Sequence, residues 1–152
     1  MKHTLTHIAP LVAALMLGAA PAAHAAPAGA AAQAEAPVKV VYHINDASVA
    51  TAALHNVNNE LNAAPNTKVV VVAHGKGIDF LLNDAKDGKG NAYEPEVAAL
   101  KARGVSFRVC HNTLQSRHLN DDAVIMEAEV VPSGVAEVAR LQAKEGYVYI
   151  KP

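Results

Sequence analysis

Arg108-Val109-Cys110-His111-Asn112-Thr113-Leu114 carries the only cysteine of the 152-residue chain, with a histidine directly after it and an arginine two residues before it. A thiol works as a nucleophile only as thiolate, and a free cysteine titrates near about 8.5, a value that helix N-termini and nearby cations lower. Both aids are within reach in the sequence. Asn112 or Thr113 can begin a helical turn whose backbone N–H groups face the sulfur, and Arg108 shares the strand face of Cys110 under strict alternation. His111, Arg117 and His118 follow within a few residues. The same residue types admit two other readings. Cys110 could ligate a metal, or it could be a small apolar residue packed at a strand end.

The histidines beyond residue 25 are His43, His55, His74, His111 and His118. The metal reading would use His74, Cys110 and His111, a set suited to copper or zinc. No CxxC, HxxxH or HxH spacing supports it, and neighbours in sequence such as Cys110 and His111 rarely share one ion. No serine occupies a strained strand-to-helix elbow, so a Ser-His-Asp mechanism is not indicated. There is no GxGxxG and no phosphate-loop lysine motif, and Gly75-Lys76-Gly77 is too short to bind a nucleotide. No cofactor is expected, and whether the chain turns over a substrate is left open.

The elements that must position these residues read as alternating strands and helices. Lys39–Ile44, Lys68–Ala73 and Val105–Val109 are β-branched, apolar runs, and Lys68–Ala73 is apolar almost throughout, as a strand buried on both faces would be. Glu127–Val131 and Tyr147–Ile150 complete five strands. Helical spacing appears at Ala50, Leu54, Val57 and Leu61, with Pro65 as a stop. It recurs at Val97 and Leu100 behind Pro95, with Gly104 as the end. It recurs again at Val135, Val138 and Leu141 between a Ser133 cap and Gly146. Ile78–Leu82 is expected to form a short helix, and Leu114–Asp122 a short helix or loop. The pattern predicts an α/β fold: one domain, a mostly parallel, five-stranded, doubly wound sheet with helices on both faces.

Ligands in such sheets bind outside the carboxyl ends of the strands. Asn45 and Asp46, His74 and Gly75, and Cys110, His111 and Asn112 all fall on that edge. A flavodoxin-like strand order, 2-1-3-4-5, would make the first and third strands neighbours and set Cys110 beside Asn45 and Asp46.

The N-terminus reads differently. Residues 1–25 have the plan of a secretory signal peptide: Lys2, an apolar run from Ile8 to Ala20, and Ala23-His24-Ala25 as a small-x-small cleavage site. The apolar run is shorter than the roughly 20 residues a membrane span needs. Residues 26–37 form an Ala/Pro-rich leader, and residues 38–152 form the domain. Cleavage removes Lys2 and no acid from a chain of formal net charge −1. With no basic stripe, nucleic acid and membrane surfaces are not expected partners. Export, most naturally to a periplasm, also means that a lone cysteine has no intramolecular disulfide partner.

Four stretches in order, Val38–Ile44, Val69–Gly75 with its Ala-His-Gly end, Gly104–Cys110, and Leu141–Pro152, resemble the DsrE/DsrF-like family of small α/β proteins. The resemblance implies a flavodoxin-like sheet and self-assembly into trimers or hexamers. It implies that Cys110, after a middle strand, carries persulfide sulfur between a donor and an acceptor protein; His111 and Arg108 match no motif of the family, and their expected role as stabilisers of the thiolate rests on their nearness in sequence alone. The family's relay proteins work in the cytoplasm with dedicated partners, whereas this chain has an export signal. The competing expectation is an oligomeric module that binds a metal ion or small ligand at the carboxyl edge of the sheet without catalysis.

Overall fold

The structure is a computed structural model that describes residues 36–152. The expected signal peptide and nearly all of the leader lie outside the described residues. Five strands, β1 (Lys39–Asp46), β2 (Lys68–Lys76), β3 (Ser106–Cys110), β4 (Ala128–Val131) and β5 (Val148–Ile150), alternate with four helices, α1 (Ala50–Ala63), α2 (Glu94–Ala102), α3 (His111–Ser116) and α4 (Gly134–Glu145). All strand pairs are parallel. The expected α/β class, the five strands and the parallel sheet are all observed.

The strand order is β4-β3-β2-β1-β5. This corrects the 2-1-3-4-5 order, because β2 lies between β1 and β3. From β1 to β4 the chain steps one strand at a time in one direction. Right-handed crossovers therefore place α1, α2 and α3 on one face. The last connection runs back from edge strand β4 to the opposite edge, beside β1. The same handedness then puts α4 alone on the other face.

The two cores follow from this path. Val40, Tyr42 and Ile44 of β1, Val69, Val71 and Ala73 of β2, and Phe107 and Val109 of β3 point into the larger core, with Leu54 and Val57 of α1 and Val97 and Leu100 of α2. The alternate residues Val41, Val70 and Val72 meet Val138 and Leu141 of α4. One helix cannot cover five strands, so this second core is small. Val135, expected to face inward, is instead 58% exposed. It lies in the first turn of α4, beyond the part of the helix that rests on Val41, Val70 and Val72.

Most helix ends carry the expected chemistry. Ser133 Oγ accepts a hydrogen bond from the Ala136 N–H, and Gly146 closes α4 in a left-handed conformation. Pro95 occupies the first turn of α2. Ile78–Leu82 forms a 3-10 turn, Gly77–Leu81. α3 starts at His111, earlier than expected, with no residue between it and Cys110.

Candidate functional site

Cys110 ends β3 at the point where the chain's connections diverge. The connection leaving β3 goes to the α1–α3 face, and the one leaving β4 goes to the α4 face. Such a switch point leaves a crevice at the carboxyl edge. Cys110 pairs in register with Val131, the last residue of β4, so the thiol sits between the starts of α3 and α4.

Both helix starts point at the sulfur. The backbone N–H of Gly134 at the start of α4, the Thr113 hydroxyl, and the backbone N–H groups of Thr113 and Asn112 at the start of α3 surround Cys110 Sγ and favour its thiolate, and the Asn112 N–H also donates to the Pro132 carbonyl at 3.3 Å. Helix N-termini present unpaired N–H groups and the positive end of the helix dipole. Burial pushes the thiol pKa up, but these hydrogen bonds outweigh it and hold Cys110 below its ordinary value. Only 5% of the residue is exposed. The thiolate is thus favoured by donors, not by solvent.

Two residues make this packing possible. Thr113 Oγ1 accepts the Gly75 N–H at 3.1 Å, which leaves its own proton free for the sulfur. Gly75 turns there with φ +57°, in the left-handed region open to glycine. Gly134 lets α4 descend onto the sheet edge. A Cβ at Gly134 would lie 3.1 Å from the Cβ atoms of both Cys110 and His74, tighter than ordinary contact.

The other expected residues are placed as follows. Arg108 does share the strand face of Cys110, but its guanidinium bonds to Glu137 on α4 and lies 3.7 Å from Glu129 on β4. His111 Nδ1 is 2.9 Å from Asp121 Oδ1, and neither His111 nor Arg108 is among the groups that shift Cys110. Asn45 and Asp46 end β1 and are exposed. With β2 intervening they are not strand neighbours of Cys110, and Asp46 caps the turn that follows by accepting from the Ser48 N–H at 2.9 Å. His74 and Gly75 are the carboxyl-edge residues that adjoin Cys110. Beside them a cleft of about 640 Å³ is lined by Gly75, Lys76, Asp79, Thr113, Ser116 and Arg117. Among the described residues no group of three or more His, Cys, Asp or Glu is arranged to hold a metal ion.

Sequence reasoning did not find the partners of His74. Its Nε2 is 2.6 Å from Nε2 of His43, and His43 Nδ1 is 2.7 Å from the Tyr149 hydroxyl. His43 is held below its ordinary pKa by burial, then by His74 and Lys151; His74 is held down by burial and Lys151. Alternation places His43 and His74 on the α4 face, but only the strand order makes them neighbours.

The profile of the DsrE/DsrF-like family matches residues 28–152, and the chain belongs to that family. Among solved structures it is similar to the protein of unknown function MTH1491 from Methanobacterium thermoautotrophicum. The identity is 32% and the TM-score 0.68, over 76% of this chain and 99% of that one. It also shares its fold with the ychN protein from E. coli, at 16% identity and a TM-score of 0.64, again over 76% of this chain and 99% of that one. No curated protein sequence matches the chain.

Proposed function

We propose that this protein handles sulfane sulfur, carrying it as a persulfide on Cys110. The observation that supports this best is the set of donors around Sγ: three backbone N–H groups and a hydroxyl, gathered from two helix starts. A structural cysteine needs none of them, while a nucleophile that must be charged at neutral pH does. The Cys110 thiolate attacks the outer sulfur of a donor persulfide, the donor S–S bond breaks, and the donor leaves as a thiolate. Family membership supports the same reading.

Export and persulfide chemistry fit together through burial. A thiolate or persulfide open to an oxidising compartment climbs the oxidation ladder. Cys110 is almost covered, so sulfur is offered to a docked partner rather than to solvent. In this reading the signal peptide delivers the chain to the periplasm, a donor or acceptor protein meets it at the carboxyl edge, and the domain assembles with copies of itself. Sedimentation of the mature chain reads that assembly.

The test is sulfur uptake. The mature protein is mixed with a persulfide donor and its intact mass is followed, beside Cys110→Ser. One added sulfur on the wild type and none on the variant is the expected result. Equal uptake by both would overturn the proposal. A thiol that reacts with alkylating reagents only after unfolding would do the same.

A further inference from the structure

Four parallel strands line up four reactive side chains on the α4 face: Tyr149 on β5, His43 on β1, His74 on β2 and Cys110 on β3. Tyr149 pairs with Val41, two residues before His43, and His43 pairs with Val72, two residues before His74. Ala73 pairs with Val109, which makes His74 and Cys110 the next residues in register. The line therefore climbs diagonally to the carboxyl edge and ends at the thiol.

The first three members are joined by hydrogen bonds. The His43 and His74 ring centroids are 4.7 Å apart and their planes differ by 26°. With the Nε2 atoms 2.6 Å apart, the rings meet tip to tip, the geometry of an N–H···N bond. Only one of those two nitrogens can hold the proton, so the tautomers are coupled. If Tyr149 O–H donates to His43 Nδ1, then His43 Nε2–H donates to His74 Nε2, and the proton of His74 sits on Nδ1. His74 Nδ1 makes no hydrogen bond among the described residues. The Cβ atoms of His74 and Cys110 flank Gly134, each 3.1 Å from the position a Cβ there would take. The far end, Tyr149, is 37% exposed.

We infer that Tyr149, His43 and His74 form a proton relay whose inner end, His74 Nδ1–H, protonates the thiolate released when Cys110 takes sulfur from a donor persulfide. This rests on the sulfur-carrying reading of Cys110. The Cys110 thiolate and R–S–S–H give Cys110–S–S–H and R–S⁻. R–S⁻ takes the Nδ1 proton of His74 and leaves as R–SH. The His43 Nε2 proton moves to His74 Nε2, the Tyr149 proton moves to His43 Nδ1, and Tyr149 takes a proton from solvent. Both rings begin and end neutral, with tautomers exchanged. His74 is the general acid, and His43 and Tyr149 position it and keep its ring neutral; the starting tautomers return when an acceptor thiol gives its proton to His74 Nδ1 as it takes the sulfur from Cys110.

General acid catalysis matters most when the leaving group is basic, and this sets the test. Sulfur uptake by intact mass is compared for an alkyl persulfide and an aryl persulfide at pH 7.5. His74→Gln should slow uptake about 100-fold from the alkyl donor and no more than about threefold from the aryl donor, whose thiolate needs no proton. Tyr149→Phe, at an exposed ring, should show a smaller loss of the same kind. Alkylation of Cys110 by iodoacetamide releases iodide without a proton, so its rate reports whether a variant keeps the folded thiolate site. Loss of uptake that is equal for the two donors, or wild-type uptake from the alkyl donor in both variants, would overturn the relay while sulfur carrying stands. No uptake by the wild type from either donor would overturn both.

Discussion

Thr113 shows how one side chain joins the thiol to the backbone of the next strand. Its hydroxyl accepts from Gly75 N–H and, with its proton free, helps hold the Cys110 thiol below its ordinary pKa. Thr113→Val removes both links at nearly constant volume. A hydrogen bond to a charged group contributes about 1.5–3 kcal/mol, so the variant should raise the Cys110 pKa by about one to two units, read from alkylation rate against pH. Thr113→Ser, which keeps the hydroxyl, should stay near wild type. An unchanged profile in Thr113→Val would mean that the N–H groups alone set the thiolate. At this scale Cys110 and the N–H groups after it were legible, because a strand end and a following helix start are both local. Arg108 and His111 were legible as cations near the thiol, but not as partners of Glu137 and Asp121, which come from other elements.

α4 is the element on which the site depends. It alone covers one face, through Val138 and Leu141, and its first N–H reaches Cys110 only because Gly134 has no side chain. Gly134→Ala would set a Cβ against Cys110 and His74. Relief requires the first turn of α4 to lift from the sheet. We expect a loss of about 1–3 kcal/mol in urea unfolding together with a raised Cys110 pKa. A stability loss without a change at the thiol would mean that the Gly134 N–H contributes nothing to it. The Ser133 cap and the Gly146 stop could be read from sequence, since caps are set by neighbouring residues. The close approach at Gly134 could not. A glycine opening a helix looks like any other until the sheet beneath it is known, and the outward turn of Val135 was hidden for the same reason.

Across the molecule, the His43–His74 pair links folding to pH. Both histidines are held below the ordinary value of 6.5. Between their folded values and 6.5 the unfolded chain binds protons that the native state refuses, so stability rises with pH in that window. The contribution is complete above about pH 6.5 and is lost as pH falls through the folded values. The urea midpoint should be lower at pH 5.5 than at pH 7.5 at constant m, and substituting both histidines by Gln should shrink that difference. Glu137, held below its ordinary value by Arg140 and Arg108 against the opposing effect of burial, acts in a lower window, while the depressed Cys110 thiol acts in the same sense as the histidines and remains in the double variant. A midpoint equally low at pH 5.5 in the double variant would assign the pH dependence to other groups.

The sequence determined the elements, their alternation, the parallel sheet and the placing of Cys110 at a carboxyl edge, because each follows from local periodicity, caps and the handedness of crossovers. It even held a hint of the strand order. Five consecutive apolar residues, Val69–Ala73, are all buried, which suits a central strand and not the edge position that 2-1-3-4-5 gives β2. Only the tertiary structure decided where the chain turns back. Both orders use the same elements and the same handedness, and they differ in which long-range strand pairs form. That choice put β2 beside β3, placed His74 rather than Asn45 next to the thiol, and brought β5 alongside β1. Tyr149 and His43, 106 residues apart in the chain, are thereby hydrogen-bonded.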